Sequence, residues 1–126
     1  MNNKQSIGKL GEDLAFQYLQ KHGCRIIDRN FRKPWGEIDI IAKDKNGVLV
    51  FVEVKTIRQY NNQPLNIQPE DNLTPSKLKK LQRTASLYVG ANENLVGDKK
   101  GWRIDLIAIT LTNELKDCDI KYFENI

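Results

Sequence analysis

Asp39, Glu53 and Lys55 lie on two stretches of sequence, Glu37–Ala42 and Val48–Thr56, in which side chains alternate between two faces. On the second stretch Val48, Val50, Val52 and Val54 point one way, and Leu49, Phe51, Glu53 and Lys55 the other. On the first, Ile38, Ile40 and Ala42 share a face, and Glu37, Asp39 and Ile41 share the opposite one. A two-residue Asn46-Gly47 turn would set Glu53 against Ile40 and Lys55 against Ile38, mixing charge with apolar groups. A three-residue loop, Lys45-Asn46-Gly47 with Gly47 in the left-handed position, instead pairs Asp44 with Val48. Ile38, Ile40 and Ala42 then meet Val54, Val52 and Val50, and register follows such face matching. Asp39 falls opposite Glu53, and Glu37 opposite Lys55. Opposed residues have Cβ atoms about 4.5–5.5 Å apart, close enough for two carboxylates to share a cation. Without one they repel; a hard, oxygen-seeking ion such as Mg²⁺ resolves the conflict. Lys55, beside that ion, could orient or deprotonate an attacking water, or stabilise charge on a phosphorane-like transition state. Two acids, a metal and a lysine suit hydrolysis of a phosphodiester. The same residues also read as a solvated sheet face with ordinary cross-strand ion pairs.

These strands need elements to hold them. Residues 4–22 read as an amphipathic helix, with Ile7, Leu10, Leu14 and Tyr18 at spacings of three and four and Gly23 to stop it. Residues 24–31 suggest a first strand and residues 33–36 a turn. Residues 57–73, rich in Asn, Gln and Pro, form a long loop. Thr74 as N-cap and Pro75 at the first helical position open a second helix reaching about Val89. Trp102–Ile109 is a β-rich strand, and Ile120–Phe123 a short edge strand. The order αβββαββ indicates one mixed α/β domain over residues 1–126, a sheet with helices packed on it.

Composition removes several alternatives. The chain has 126 residues, one histidine and two distant cysteines, Cys24 and Cys118, which excludes a Cys/His zinc centre and disfavours a Ser-His-Asp triad. His22 closes the first helix, where a partly cationic ring suits the C-terminal dipole. There is no phosphate-binding P-loop and no dinucleotide fingerprint. A net charge of +4 permits an anionic partner without demanding one. No apolar run approaches a membrane span, the N-terminus does not read as a signal peptide, and the expected setting is cytoplasmic with reduced thiols.

Asp39 followed by Glu53-Val54-Lys55 resembles the PD-(D/E)XK pattern of the restriction-endonuclease-like nuclease superfamily. More closely, the chain resembles the YraN family of predicted endonucleases. The matching words are Gly8-x-x-Gly11-Glu12-x-x-Ala15, Asn30-Phe31, Trp35-Gly36-Glu37-Ile38-Asp39-Ile40-Ile41-Ala42, Phe51-Val52-Glu53-Val54-Lys55-Thr56, Thr74-Pro75-x-Lys77 and Arg103-x-Asp105. They run through nearly the whole chain. The resemblance implies an αβββαβ nuclease core with Asp39 and Glu53 as metal ligands and Lys55 as the catalytic lysine. The chain is also similar to archaeal Holliday junction resolvases, which implies a place in the metal site for Glu12. The family pattern usually follows the lysine with Thr-Arg; here Thr56 is followed by Ile57 and then Arg58.

The resulting expectation is a restriction-endonuclease-like α/β domain that binds DNA, branched or single-stranded forms included, and hydrolyses it with Mg²⁺ or Mn²⁺. Asp39, Glu53 and the Val54 carbonyl would hold the metal, Lys55 would assist the water, and Glu12 would complete or flank the site. Glu37 is an accessory ligand or a partner for Lys55. Lys77, Lys80, Arg58 and Tyr60 are the nucleic-acid-binding candidates, Tyr60 by stacking on a base. Trp35 and Trp102 are read as packing residues and Asp105 as structural. A homodimer is the partner state considered. The rival reading is a non-catalytic nucleic-acid-binding module of the same fold; a third is a protein-interaction domain.

Overall fold

Gly23 ends the first helix and so determines where the sheet begins. In the computed structural model, which describes residues 3–59, 68–97, 100–112 and 118–126, helix α1 covers Asn3–Lys21. Gly23 adopts φ +84°. Cys24 N–H donates to the Leu19 carbonyl and Gly23 N–H to that of Gln20, a left-handed cap that glycine forms without a Cβ clash. His22 lies at this end as expected, its Nδ1 2.7 Å from the Tyr18 carbonyl oxygen. The chain continues through β1 (Arg25–Lys33), β2 (Gly36–Lys43), β3 (Leu49–Arg58), α2 (Pro75–Ala91), β4 (Trp102–Leu111) and β5 (Cys118–Phe123). Thr74 Oγ1 accepts the Lys77 N–H at 3.2 Å and Pro75 opens α2, the start signal read from the sequence. The loop expected over 57–73 is shorter at both ends, because β3 runs to Arg58 and Pro69–Asn72 forms a short 3₁₀ turn.

The strands form one mixed sheet in the order β1-β2-β3-β4-β5. Neighbours are antiparallel except β3 and β4, whose parallel pairing needs a crossover, supplied by the segment that contains α2. Helix α1 packs Ala15 and Leu19 on one face, against Ile40, Ala42, Val50, Val52 and Ile107. Helix α2 packs Leu81, Ala85 and Tyr88 on the other, against Ile41, Leu49, Phe51 and Ile104. This is the helix-flanked mixed sheet expected of the restriction-endonuclease-like fold. With both faces covered, β3 and β4 read as nearly continuous apolar runs.

The β2–β3 hairpin has the register argued from face matching: Ile40 pairs with Val52, Ile41 with Phe51 and Ala42 with Val50. Asp44 N–H donates to the Val48 carbonyl at 2.9 Å, and Gly47 sits at φ +83°. One expectation fails. Ile38 belongs to the α2 face with Ile41 and Phe51, not to the α1 face with Ile40 and Ala42. The alternation slips at Asp39, and the adjacent strand slips with it. Arg29 pairs with Ile40 and Phe31 with Ile38, so Asn30 stands across from Asp39. Asn30 adopts φ +54°, a left-handed conformation that asparagine tolerates better than most residues. Both strands therefore change faces together and keep their pairing.

Far from this irregularity, the wholly buried Asp105 is satisfied by several donors. It accepts Arg103 Nε at 3.1 Å, Asn125 N–H at 2.8 Å and the Tyr122 hydroxyl. Arg103 also reaches Asp44 at 2.8 Å, tying β4 to the β2–β3 loop. Asp105 is structural, as read. So is Trp102, which meets Phe51 edge-on at 5.6 Å.

Two glycines in α1 make a paired test. A Cβ on Gly11 would come 1.9 Å from Thr56 Oγ1 and 2.8 Å from its Cβ, whereas a Cβ on Gly8 meets nothing within 4 Å. Gly11→Ala should lower stability by about 1–3 kcal/mol through overpacking. Gly8→Ala should raise it by about 0.5–1 kcal/mol through helix propensity. Urea denaturation of both variants measures the signs, and a neutral Gly11→Ala would mean that α1 does not sit so close to β3.

Candidate active site

The backbone ladder between β2 and β3 stops at the Ile40–Val52 pair, one residue short of Asp39. Continued regularly, the next hydrogen-bonded step would give the Val54 N–H to β2 backbone. It goes instead to the Asp39 side chain, Oδ2 lying 2.8 Å from Val54 N. The Asp39 carboxylate thus takes the place of a backbone carbonyl, and the face change at Asn30 and Asp39 makes this local geometry available. The Glu53 carboxyl group, one residue before Val54, lies close enough to that of Asp39 for each to act on the other's proton affinity. Lys55 Nζ lies 3.6 Å from Glu53 Oε1. The structure therefore brings Asp39, Glu53 and Lys55 together where β2 and β3 part.

Two acids in contact and out of water cannot both stay charged at ordinary cost. Burial, followed by the neighbouring Asp39 charge, pushes the Glu53 carboxyl up to about 8, with Lys55 opposing the shift. Burial also raises Asp39, against the lowering effect of the Val54 N–H. The pair consequently holds a proton near neutrality. That proton occupies a place suited to a divalent cation, so the donor set fits Mg²⁺ or Mn²⁺, which proteins commonly hold with one or two carboxylates, waters and substrate phosphate oxygens. A residue's N–H and C=O leave an extended strand on the same side, so the Val54 carbonyl faces the same gap as its amide. Among the described residues, no three His, Cys, Asp or Glu side chains are gathered as a metal cluster. Water and phosphate would have to supply the remaining ligands.

Glu53 and Lys55 open into a cavity of about 450 Å³ between the β1–β2 hairpin and α2. Lys33, Lys77 and Lys80 line it with them, so four lysines face two acids, Glu37 and Glu53. Lys33 was missed in the sequence, where residues 33–36 read only as a turn. The signal was a cation at the base of a hairpin that begins the acidic strand. Gly36 lets the hairpin press on α2: a Cβ there would fall 2.1 Å from Thr84 Oγ1. Lys77 Nζ donates to the Asn72 carbonyl at 3.1 Å, bracing the segment before α2.

Other candidates stand apart. Glu12 lines a neighbouring groove with Lys9, Arg29, Asn30 and Arg32. Burial and then the Asp39 charge raise its carboxyl, so it is in electrostatic reach of the pair without sharing its cavity. Its approach depends on Gly11 rather than on the exposed Gly8. Glu37 is not the partner of Lys55: the ladder pairs it with Arg32, their side chains 3.8 Å apart. The hairpin register that would have set Glu37 against Lys55 ends before reaching them. Arg58 closes β3 on the face opposite Glu53 by alternation. Tyr60 lies outside the described residues. Trp35, read as a packing residue, is 46% exposed, because it occupies the two-residue tip between the paired Lys33 and Gly36 and has no core above it.

Known sequences match the chain over most of its length. A sequence model described as "Uncharacterised protein family UPF0102" matches residues 11–109. A UPF0102 protein of Dictyoglomus thermophilum is 38% identical over 125 residues, covering 99% of this chain and 98% of its own. A UPF0102 protein of Clostridium botulinum strain Hall is 37% identical over 121 residues, covering 96% and 93%. The matched region contains Glu12, Asp39, Glu53, Lys55 and Lys77.

The acid pair also makes stability depend on pH. A carboxyl raised from 4.5 to about 8 binds a proton on folding between those values. Its stabilising effect is complete below about 4.5 and is lost as pH rises through about 8. Without divalent metal, melting temperature should therefore fall across this window. Glu53→Gln should flatten the fall and melt higher than wild type at pH 8, by roughly 4 °C for each kcal/mol recovered. Calorimetry in EDTA measures this; equal slopes in the two proteins would mean that Glu53 is not held protonated.

Proposed function

This chain belongs to the uncharacterised protein family UPF0102, the family met in the sequence as YraN, and we propose that it is a metal-dependent endonuclease acting on DNA. One observation carries the reading: the Asp39 and Glu53 carboxyl groups lie together beside Lys55, and Glu53 and Lys55 open into a cavity that also presents Lys33, Lys77 and Lys80. A structural ion pair has no need of a second buried acid, and burying it unpaired is unfavourable. Such an arrangement is expected where a cation and a polyanion meet.

Asp39 and Glu53 would hold the cation, with the Val54 carbonyl as a further ligand. When bound, Mg²⁺ or Mn²⁺ supplies Lewis-acid polarisation of the phosphate and lowers the pKa of a coordinated water. The Val54 N–H fixes one Asp39 oxygen at 2.8 Å, which leaves the other free to ligate. Lys55, 3.6 Å from Glu53, is placed to orient the attacking water or meet charge developing on phosphorus. Lys33, Lys77 and Lys80 contact flanking phosphates and hold the strand in register. Glu12 flanks the site through its field. The rival, a non-catalytic binding module, uses the same lysines without the acids.

Substitution separates the two. Asp39→Asn keeps an acceptor for the Val54 N–H, and Glu53→Gln keeps size, so both should fold while losing Mn²⁺ binding and cleavage. Lys55→Ala should retain metal and slow hydrolysis by about 10²–10³-fold. Calorimetric Mn²⁺ titration, run beside cleavage of linear, single-stranded and branched DNA, provides the readout. Cleavage that survives Asp39→Asn would remove the assignment, and DNA binding without metal binding or cleavage would establish the rival.

The lysines make their own prediction. Affinity for DNA should fall steeply with salt through counterion release. Lys77→Ala with Lys80→Ala should flatten that dependence by about 0.7–0.9 for each phosphate that is no longer neutralised. Fluorescence anisotropy over a salt series tests it; an unchanged slope would leave these lysines as solvated surface.

A further inference from the structure

Trp35 is the other feature of the hairpin that packing does not explain. Hydrophobic stabilisation comes from removing apolar surface from water, yet this large side chain remains 46% exposed. Its support is nevertheless stiff. The loop is only Pro34 and Trp35, between the paired Lys33 and Gly36. Pro34 restricts the backbone, and Gly36 abuts Thr84, a buried residue of α2. Lys33, Pro34, Gly36 and Glu37 all line the acid–lysine cavity, so the loop that carries Trp35 borders it although the indole itself does not line it. Arg32 and Lys33 stand just before Pro34.

We infer that Trp35 is a stacking platform for an unpaired nucleobase, and that the chain takes single-stranded DNA, or the unpaired part of a branched one, with its backbone on the cavity lysines. The inference deepens the nucleic-acid reading above and rests on it. A short, backbone-constrained loop loses little freedom when a base covers its indole, and base–aromatic stacking tolerates any sequence because every base has a π-face. In duplex DNA those faces are occupied by neighbouring bases, which makes the platform selective for unpaired segments. The surrounding charge favours this occupant over an apolar protein surface. Four cavity lysines and Arg32 are placed for phosphates, and a base and its phosphate offer both chemistries within one nucleotide.

The test is binding in EDTA, where cleavage plays no part, using an oligothymidylate of about 15 nucleotides and a blunt duplex of similar length. Tryptophan emission is followed together with anisotropy of labelled DNA. Trp102 is tucked edge-on against Phe51, so quenching by the oligothymidylate should come from Trp35 and vanish in Trp35→Phe. Trp35→Leu, which keeps apolar bulk but has no π-face, should weaken single-strand binding about tenfold, and Trp35→Phe much less. Duplex affinity and the urea midpoint should not change in either variant. Equal single-strand affinity in Trp35→Leu and wild type would overturn the inference while leaving the nuclease reading intact. A parallel loss for duplex would also overturn it, as would dissociation of a dimer in Trp35→Leu by sedimentation, which would assign the indole to a second copy of the chain. If wild type binds neither DNA, the nucleic-acid reading itself falls. Loss of metal-dependent cleavage alone does not touch the stacking result.

Discussion

The Val54 amide donates to a carboxylate where an ordinary sheet would offer it a carbonyl. That substitution is the constraint around which the site is arranged. A buried backbone N–H must find an acceptor, so wherever β2 and β3 part, a side chain has to enter the gap. Asp39 is short enough to reach it while remaining on its strand. The same parting draws in Glu53, and the face change that accompanies it is shared by β1 through the left-handed Asn30. Four positions on three strands thus depend on one hydrogen bond. A regular hairpin would have made one more backbone hydrogen bond at Val54 and left the Asp39 carboxylate without that donor.

The molecule handles its buried carboxylates in two ways. Asp105 is completely enclosed, yet it receives donors from Arg103, Tyr122 and Asn125. Arg103 in turn spans Asp44 and Glu124, joining the start of β4 to the β2–β3 loop and the chain end. Its charge, and the Tyr122 proton, are held firmly: burial acts in opposite directions on the two groups, while contact with Asp105 favours the protonated form of both. Such fully satisfied networks stabilise one arrangement of strands. The Asp39–Glu53 pair lacks that satisfaction, having one backbone N–H and one nearby ammonium between two acids. A perturbed acid pair with so few donors, in the same sheet as the well-partnered Asp105, is the kind of arrangement that marks a candidate functional site.

Close packing connects the site to its supports. Gly11 brings α1 against Thr56, immediately beyond Lys55, and so carries Glu12 within the field of Asp39. Gly36 brings the hairpin against Thr84 on α2 and sets Lys33 across from Lys77 and Lys80. In each case the missing Cβ allows a polar residue beside the glycine to reach the acid pair or its cavity. No helix among the described residues is long and apolar enough to cross a membrane.

Much of this was legible in the sequence because it depends on neighbours along the chain. Helix limits followed from Gly23 and from Thr74-Pro75, whose conformational preferences act locally. The β2–β3 register followed from matching Ile40 and Ala42 with Val52 and Val50, since a one-residue slip would expose an entire apolar face. The meeting of Asp39 with Glu53 followed from that register. The sequence also marked Lys55 and Lys77 by type and position. What it did not contain was the reversal at Asp39. Period-two alternation assumes an unbroken ladder, and only the competition between backbone and carboxylate for the Val54 N–H decides where the ladder ends. That competition moved Ile38 to the other face, separated Glu37 from Lys55, and left Trp35 in solvent at the hairpin tip. The cavity itself is a contact between segments about forty residues apart, Lys33 and Gly36 on one side and Lys77, Lys80 and Thr84 on the other. Its existence rests on how closely two surfaces pack, and that is a property of the tertiary structure alone.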